Sequence, residues 1–149
     1  MKRIRKDTQY FDIDYEANAS YYDAKKSPTE PYAKNFVNQM RHFNPELNEF
    51  LDMFASDIVK PDELKWVDVD EGVKYTAKYS VTGEIVNAER FDYKIRKMTI
   101  AVVPVGDGKL EICYDNIVLP WILIETRDGK MPEIQPTGIK AKLKCIFKK

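Results

Sequence analysis

Apolar and polar positions change period twice along the chain, and the changes predict the order of elements. From Thr8 to Glu16 the pattern alternates, with Phe11, Ile13 and Tyr15 on one side and Asp12, Asp14 and Glu16 on the other, which predicts a short half-buried strand. Ala17 to Lys26 has no clear period. Ser27-Pro28-Thr29-Glu30 then matches a capping box with proline at the first helical position, Thr29 before Pro31 is an equally good cap, and a helix is expected to Phe43. Tyr32, Phe36, Met40 and Phe43 fall on its apolar stripe. Asn44-Pro45 restarts the signal, with Glu46 and Glu49 suited to the positive end of the helix dipole and Leu47, Phe50, Leu51, Phe54 and Ile58 forming one face. Lys60-Pro61 is expected to end this second helix.

From Trp66 the period becomes two. Val73, Tyr75, Ala77, Tyr79 and Val81 alternate with Lys74, Thr76, Lys78 and Ser80, the pattern of a strand with one wet face. Thr82-Gly83 reads as a turn. Phe91, Tyr93 and Ile95 resume on odd positions before Met98, Ile100 and Val102 take over on even ones, so the phase slips at Arg96-Lys97 as at a β-bulge or bend. Asp107-Gly108 and Asp128-Gly129 are hairpin-turn dipeptides. Ile117 to Ile124 reads as a strand buried on both faces, and Met131 to Gly138 as a loop before a last strand, Ile139 to Phe147. The expectation is one α+β domain over 1–149: two helices in the first half packed on a curled, mostly antiparallel sheet, a small barrel or sandwich, with 1–30 as an extended N-terminal arm.

Size agrees with one core, since 149 residues and 17.4 kDa suit a single domain, and 44% hydrophobic residues is far from the disordered class. Met1 to Lys6 is basic, but Asp7-Thr8-Gln9 follows where a signal peptide would need an apolar stretch. The apolar run Ile117 to Ile124 falls well short of the roughly 20 residues of a membrane-spanning helix. Cys113 and Cys145, without a CxxC pair, suit a reducing compartment. These features predict a cytoplasmic protein, in host cytoplasm or a virion if its source is viral.

The net charge of zero hides a segregation. Residues 1–72 hold 10 basic and 15 acidic side chains and residues 73–149 hold 14 and 9; removing Lys2, Arg3, Arg5 and Lys6 leaves 6 against 15 in residues 7–72. A basic start precedes an acidic stretch.

Catalytic residue types are scarce. His42 is the single histidine and falls off the apolar helical stripe, which removes chemistry requiring paired histidines. Asp12/Asp14 and Asp68/Asp70 with Glu71 have the spacing that, on a strand, sets carboxylates about 7 Å apart on one side, where a magnesium ion would bridge them. Pro61-Asp62-Glu63-Leu64-Lys65 superficially matches the PD and E-x-K elements of a nuclease superfamily, but there the elements lie on successive strands, so fused spacing cannot build that site. No metal site and no cofactor is assigned.

Two surfaces stand out. Lys140, Lys142, Lys144 and Lys148 share one side of the predicted last strand, and Lys74, Lys78, Lys94 and Arg96 occupy outer positions on other strands, together a candidate track for single-stranded nucleic acid. Edge-protecting lysines give the same pattern, and the tyrosines fall on the inward phase. The second surface is aromatic: Tyr10, Phe11, Tyr15, Tyr21 and Tyr22 precede the first firm helix signal and are interface-type residues. The leading expectation is a non-enzymatic protein-binding or assembly protein, a subunit of a larger particle, viral ones included, or a small inhibitor. Its partner would be another protein or a second copy. A nucleic-acid binder is the first alternative and a metal-dependent phosphodiesterase the second.

Overall fold

The structure, a computed structural model, describes residues 1–43 and 45–122. Strands β1 (Lys2–Lys6) and β2 (Gln9–Ile13) precede helices α1 (Tyr15–Ala24), α2 (Pro31–Phe43) and α3 (Pro45–Met53). Strands β3 (Glu63–Val69), β4 (Gly72–Ile85), β5 (Phe91–Ile95), β6 (Met98–Gly106) and β7 (Lys109–Leu119) follow. All pairings are antiparallel, in the order β1-β2-β4-β7-β6-β5, with β3 also on β4. The α+β class with helices on an antiparallel sheet is therefore as expected. The predicted last strand, its Lys140, Lys142 and Lys144, the Asp128-Gly129 turn and Cys145 lie outside the described residues.

Where strands alternate, one phase is buried. Val73, Tyr75, Ala77, Tyr79 and Val81 of β4 and Leu110, Ile112 and Tyr114 of β7 face the helices. Three of these inward side chains are tyrosines, and burial obliges each hydroxyl to find a partner. Tyr75 donates to the Tyr32 carbonyl (2.6 Å), Tyr79 to that of Ile58 (2.5 Å) and Tyr114 to that of Leu47 (2.7 Å). Each bond ties the sheet to helical or post-helical backbone. Hydrophobic burial holds the layers together without direction, and these bonds set where they lie.

The sheet curls but does not close into a barrel. Its ends approach through side chains: Phe11 of β2 meets Phe91 of β5 edge-on, with ring centroids 5.4 Å apart, and Lys6 of β1 lies 4.5 Å from the Tyr93 ring of β5. Phe50 of α3 and Phe54 fill the space between, 5.2 Å from each other, with Phe54 5.1 Å from Phe11. An aromatic seam therefore replaces the hydrogen bonds that would close a barrel, because α3 occupies the gap.

Several local expectations change. Residues 17–24, without a legible period, are helical because Asp14 caps α1 by accepting the Ala17 N–H at 3.1 Å. Residues 1–30 consequently contain a hairpin and a helix, with Phe11, Ile13 and Tyr22 in the core. The α3 helix stops at Met53, before Pro61, where Ala55 takes a left-handed conformation (φ 60°) and the Ser56 N–H donates back to the Leu51 carbonyl at 3.0 Å. Thr82-Gly83 is not a turn. The β4 strand runs through it, and Gly83 is required because a Cβ there would lie 2.7 Å from the Asp12 carbonyl oxygen of β2. The phase slip at Arg96-Lys97 is a two-residue hairpin, with Arg96 at φ 56° and Ile95 facing Met98. The bulge lies instead on β7 at Asp115-Asn116 opposite Thr76, which keeps both Tyr114 and Ile117 inward. The Asp107-Gly108 turn forms as expected, both residues at positive φ.

One edge of β4 is shared. Residues 72–78 pair with β3 and residues 83–85 with β2, leaving Ser80 and Thr82 without a strand partner on that side. The Asp14 N–H donates to the Thr82 carbonyl at 3.1 Å, and side chains close the rest of the break. The Thr82 N–H donates to Asn18 Oδ1 (2.7 Å) while Asn18 Nδ2 donates to the Thr82 carbonyl (3.2 Å), imitating a strand. Replacing Asn18 by Ala raises intrinsic helix propensity by roughly 0.5 kcal/mol, yet leaves the Thr82 N–H unsatisfied at about 1–3 kcal/mol. Net destabilisation is the expected result of urea unfolding; an Asn18→Ala chain as stable as the parent would contradict this account.

Candidate interaction surface

The aromatic candidates divide by strand and helix phase. Phe11 and Tyr22 are buried, whereas Tyr10, Tyr15 and Tyr21 are 42%, 40% and 46% exposed on the flank built by β1, β2 and α1. Each exposed ring carries a cation. Lys2 lies 4.5 Å from the Tyr15 centroid, the Arg3 guanidinium 5.8 Å from that of Tyr10, and Lys25 5.3 Å from that of Tyr21. The basic start of the chain is thus a strand laid beside tyrosines, and Arg3 also forms a two-pronged bond with Asp12 at 2.7 and 2.9 Å.

Asp62 organises the other side of this flank. Its carboxylate accepts from Lys25 Nζ (2.7 Å), from the Ser80 N–H (2.7 Å) and from the Tyr21 hydroxyl, and the Tyr22 hydroxyl lies 3.1 Å from it. Burial pushes the Asp62 carboxyl up, but these donors outweigh it and hold it below the usual carboxylate range. The same contact with Asp62, aided by burial, pushes the Tyr21 phenol up to about 12. Burial pushes the Tyr22 phenol up as well. Asp62 therefore fills the second half of the break in the β4 edge; nothing in Pro61-Asp62-Glu63 as a sequence indicated it, because its partners lie 18 to 41 residues away.

Three of the candidate paired carboxylates have structural partners. Asp12 is bound by Arg3, Asp14 caps α1, and Asp68 accepts from the Tyr32 hydroxyl at 3.0 Å, while Asp70 lies in the β3–β4 turn. No group of three metal-ligating side chains occurs among the described residues. His42 is exposed near the end of α2. Cys113 is half-buried on the outer face of β7, and burial pushes its thiol up.

The outer sheet face carries mixed charge. Lys78 lies opposite Glu63 on β3 and 3.9 Å from Glu111, and Glu63 also pairs with Lys65 at 2.9 Å. Lys94 lies on β5 beside Thr99. Lys74 and Arg96, by contrast, line a common groove with Lys97 at one end of the sheet. Among the described residues no helix is long and apolar enough to cross a membrane. Comparison with protein-family models, with curated proteins and with solved structures finds no match for this chain.

Because the folded-state value of Asp62 lies below its ordinary 3.8, its contribution to stability is present above that pH and is lost as pH falls through the folded value. Asp62→Asn is expected to lower stability at neutral pH by about 2 kcal/mol and to flatten the decline on acidification. Urea unfolding across the acid range measures both, and an unchanged acid slope would show that Asp62 is not the group responsible.

Proposed function

We propose that this chain is a non-enzymatic protein-binding or assembly protein that engages its partner through Tyr10 and Tyr15 on the β1–β2–α1 flank, with Tyr21 at its border. The observation that carries this reading is the set of three exposed tyrosines, each with a lysine or arginine on its ring. Tyrosine presents large contact area with little conformational entropy to lose, and tyrosine and arginine are enriched at interfaces. The core behind the rings, with Phe11, Ile13 and Tyr22, supplies a rigid base for two of them. The structural employment of Asp12, Asp14, Asp62 and Asp68 adds support, since each already serves a cap, an ion pair or a hydroxyl.

In native lysate the chain is expected to sediment as a species heavier than its 17.4 kDa monomer. Tyr10→Ser with Tyr15→Ser, which spares Tyr21 and its bond to Asp62, is expected to weaken that association by about tenfold or more at unchanged thermal stability. Sedimentation of the unaltered chain as monomer alone would remove this reading.

A further inference from the structure

At one end of the sheet the β3–β4 and β5–β6 hairpins straddle the end of β7 and leave an open groove of about 530 Å³. Val69, Met98 and Val118 supply its apolar surface, and Lys74, Arg96 and Lys97 its cations, against one carboxylate, Glu71. None of the three cations has an ion-pair partner among the described residues, although Arg3, Lys6, Lys25, Lys65, Lys78 and Arg90 all do. Three cations against one carboxylate leave an excess of positive charge, and an anion seated among them relieves the remaining repulsion.

The backbone holds this arrangement in place. Arg96 and Asn116 are both non-glycine residues in the left-handed region, at φ 56° and 61°, and both line the groove. Asn116 Nδ2 donates to the Lys97 carbonyl at 2.7 Å, so the β7 bulge pins the turn that carries two of the cations. Asp115 in turn fixes the bulge, accepting from the Asn116 N–H at 2.7 Å and from the Thr76 hydroxyl at 2.8 Å. Arginine gains nothing locally from a left-handed turn position, where glycine or asparagine is at ease. Its guanidinium is nonetheless presented there beside Lys97.

The geometry points to a binding site for a small amphiphilic anion, an acidic head group held by Lys74, Arg96 and Lys97 with a short aliphatic body on Val69, Met98 and Val118. The volume lies within the range of roughly 300–1,000 Å³ usual for small-molecule sites. Among the described residues the lining contains no aromatic ring on which a nucleobase would stack, which favours an aliphatic body over a nucleotide.

Amide-resolved NMR titration of the full chain with octyl phosphate and with octanoate tests this. Saturable shifts are expected at Val69, Met98, Asn116 and Val118. The triple variant Lys74→Gln, Arg96→Gln, Lys97→Gln is expected to bind about tenfold more weakly or worse, with the dispersion of a folded chain retained. Octyl glucoside binding as tightly as octyl phosphate would overturn the anionic head, and inorganic phosphate binding as tightly would overturn the aliphatic body. Tighter binding of a single-stranded oligonucleotide or of anionic vesicles through the same residues would assign the groove to nucleic acid or to a bilayer instead. Absence of shifts with both amphiphiles would also overturn the proposal. Should the triple variant lose its fold, Val118→Thr in the otherwise native groove is expected to weaken octyl phosphate while leaving inorganic phosphate unaffected, and equal affinity for octyl phosphate would count against the site.

Discussion

The backbone of Ser80 and Thr82 is the constraint on which the first half of the molecule depends. A 14-residue strand exposes more edge than either of its short neighbours covers, and β3 and β2 leave a break between them. A buried or half-buried peptide group without a partner costs about 1–3 kcal/mol, so the break must be filled. Asn18 fills it at Thr82, and Asp62 with Tyr22 at Ser80, the Tyr22 hydroxyl donating to the Ser80 carbonyl at 2.8 Å. Since Asn18 and Tyr22 are one turn apart on α1, a single helix face closes the strand edge, and α1 is fixed to the sheet. The exposed Tyr15 and Tyr21 take their positions from that attachment.

A second constraint acts across the sheet. Curling brings β5 toward β1 and β2, but Phe50 and Phe54 stand where further strand pairing would have to occur. Ring contacts between the edges carry no backbone register, whereas the tyrosine hydroxyls do impose position. Tyr75, Tyr79 and Tyr114 each donate to one carbonyl, and those carbonyls belong to α2, to the segment after α3, and to α3. The tyrosines that would be stacking platforms on a nucleic-acid-binding sheet are thus used as anchors within the core.

Charge segregation along the chain becomes mixing in space. Antiparallel pairing lays Arg3 beside Asp12, and chain reversal brings Lys25 to Asp62 and Lys78 to Glu111. At the sheet end, three cations gather against Glu71 because the turn at Arg96-Lys97 and the β7 bulge hold them together.

Periodicity by itself determined the parts that depend on neighbouring residues. Alternation at Val73–Val81 marks β4, the helical stripes at Tyr32–Met40 and Leu47–Leu51 mark α2 and α3, and Asp107-Gly108 marks a hairpin, because burial of one face and positive φ are requirements each segment must meet locally. Of the candidate site, the interface-type tyrosines were legible as residue types, but Tyr15, in phase with Phe11 and Ile13, is exposed because β2 ends at Ile13 and α1 begins at Tyr15, and the missing period in residues 17–26 hid the division of Tyr21 from buried Tyr22. Only the tertiary structure decided where α1 docks, that Gly83 is a close approach of two strands and not a turn, and that Arg96 joins Lys74 while Lys78 is drawn to Glu111. In each case the deciding partner lies far along the chain, and the energy of an unpaired peptide, a blocked Cβ or an uncompensated charge exists only once the chain has brought the two together.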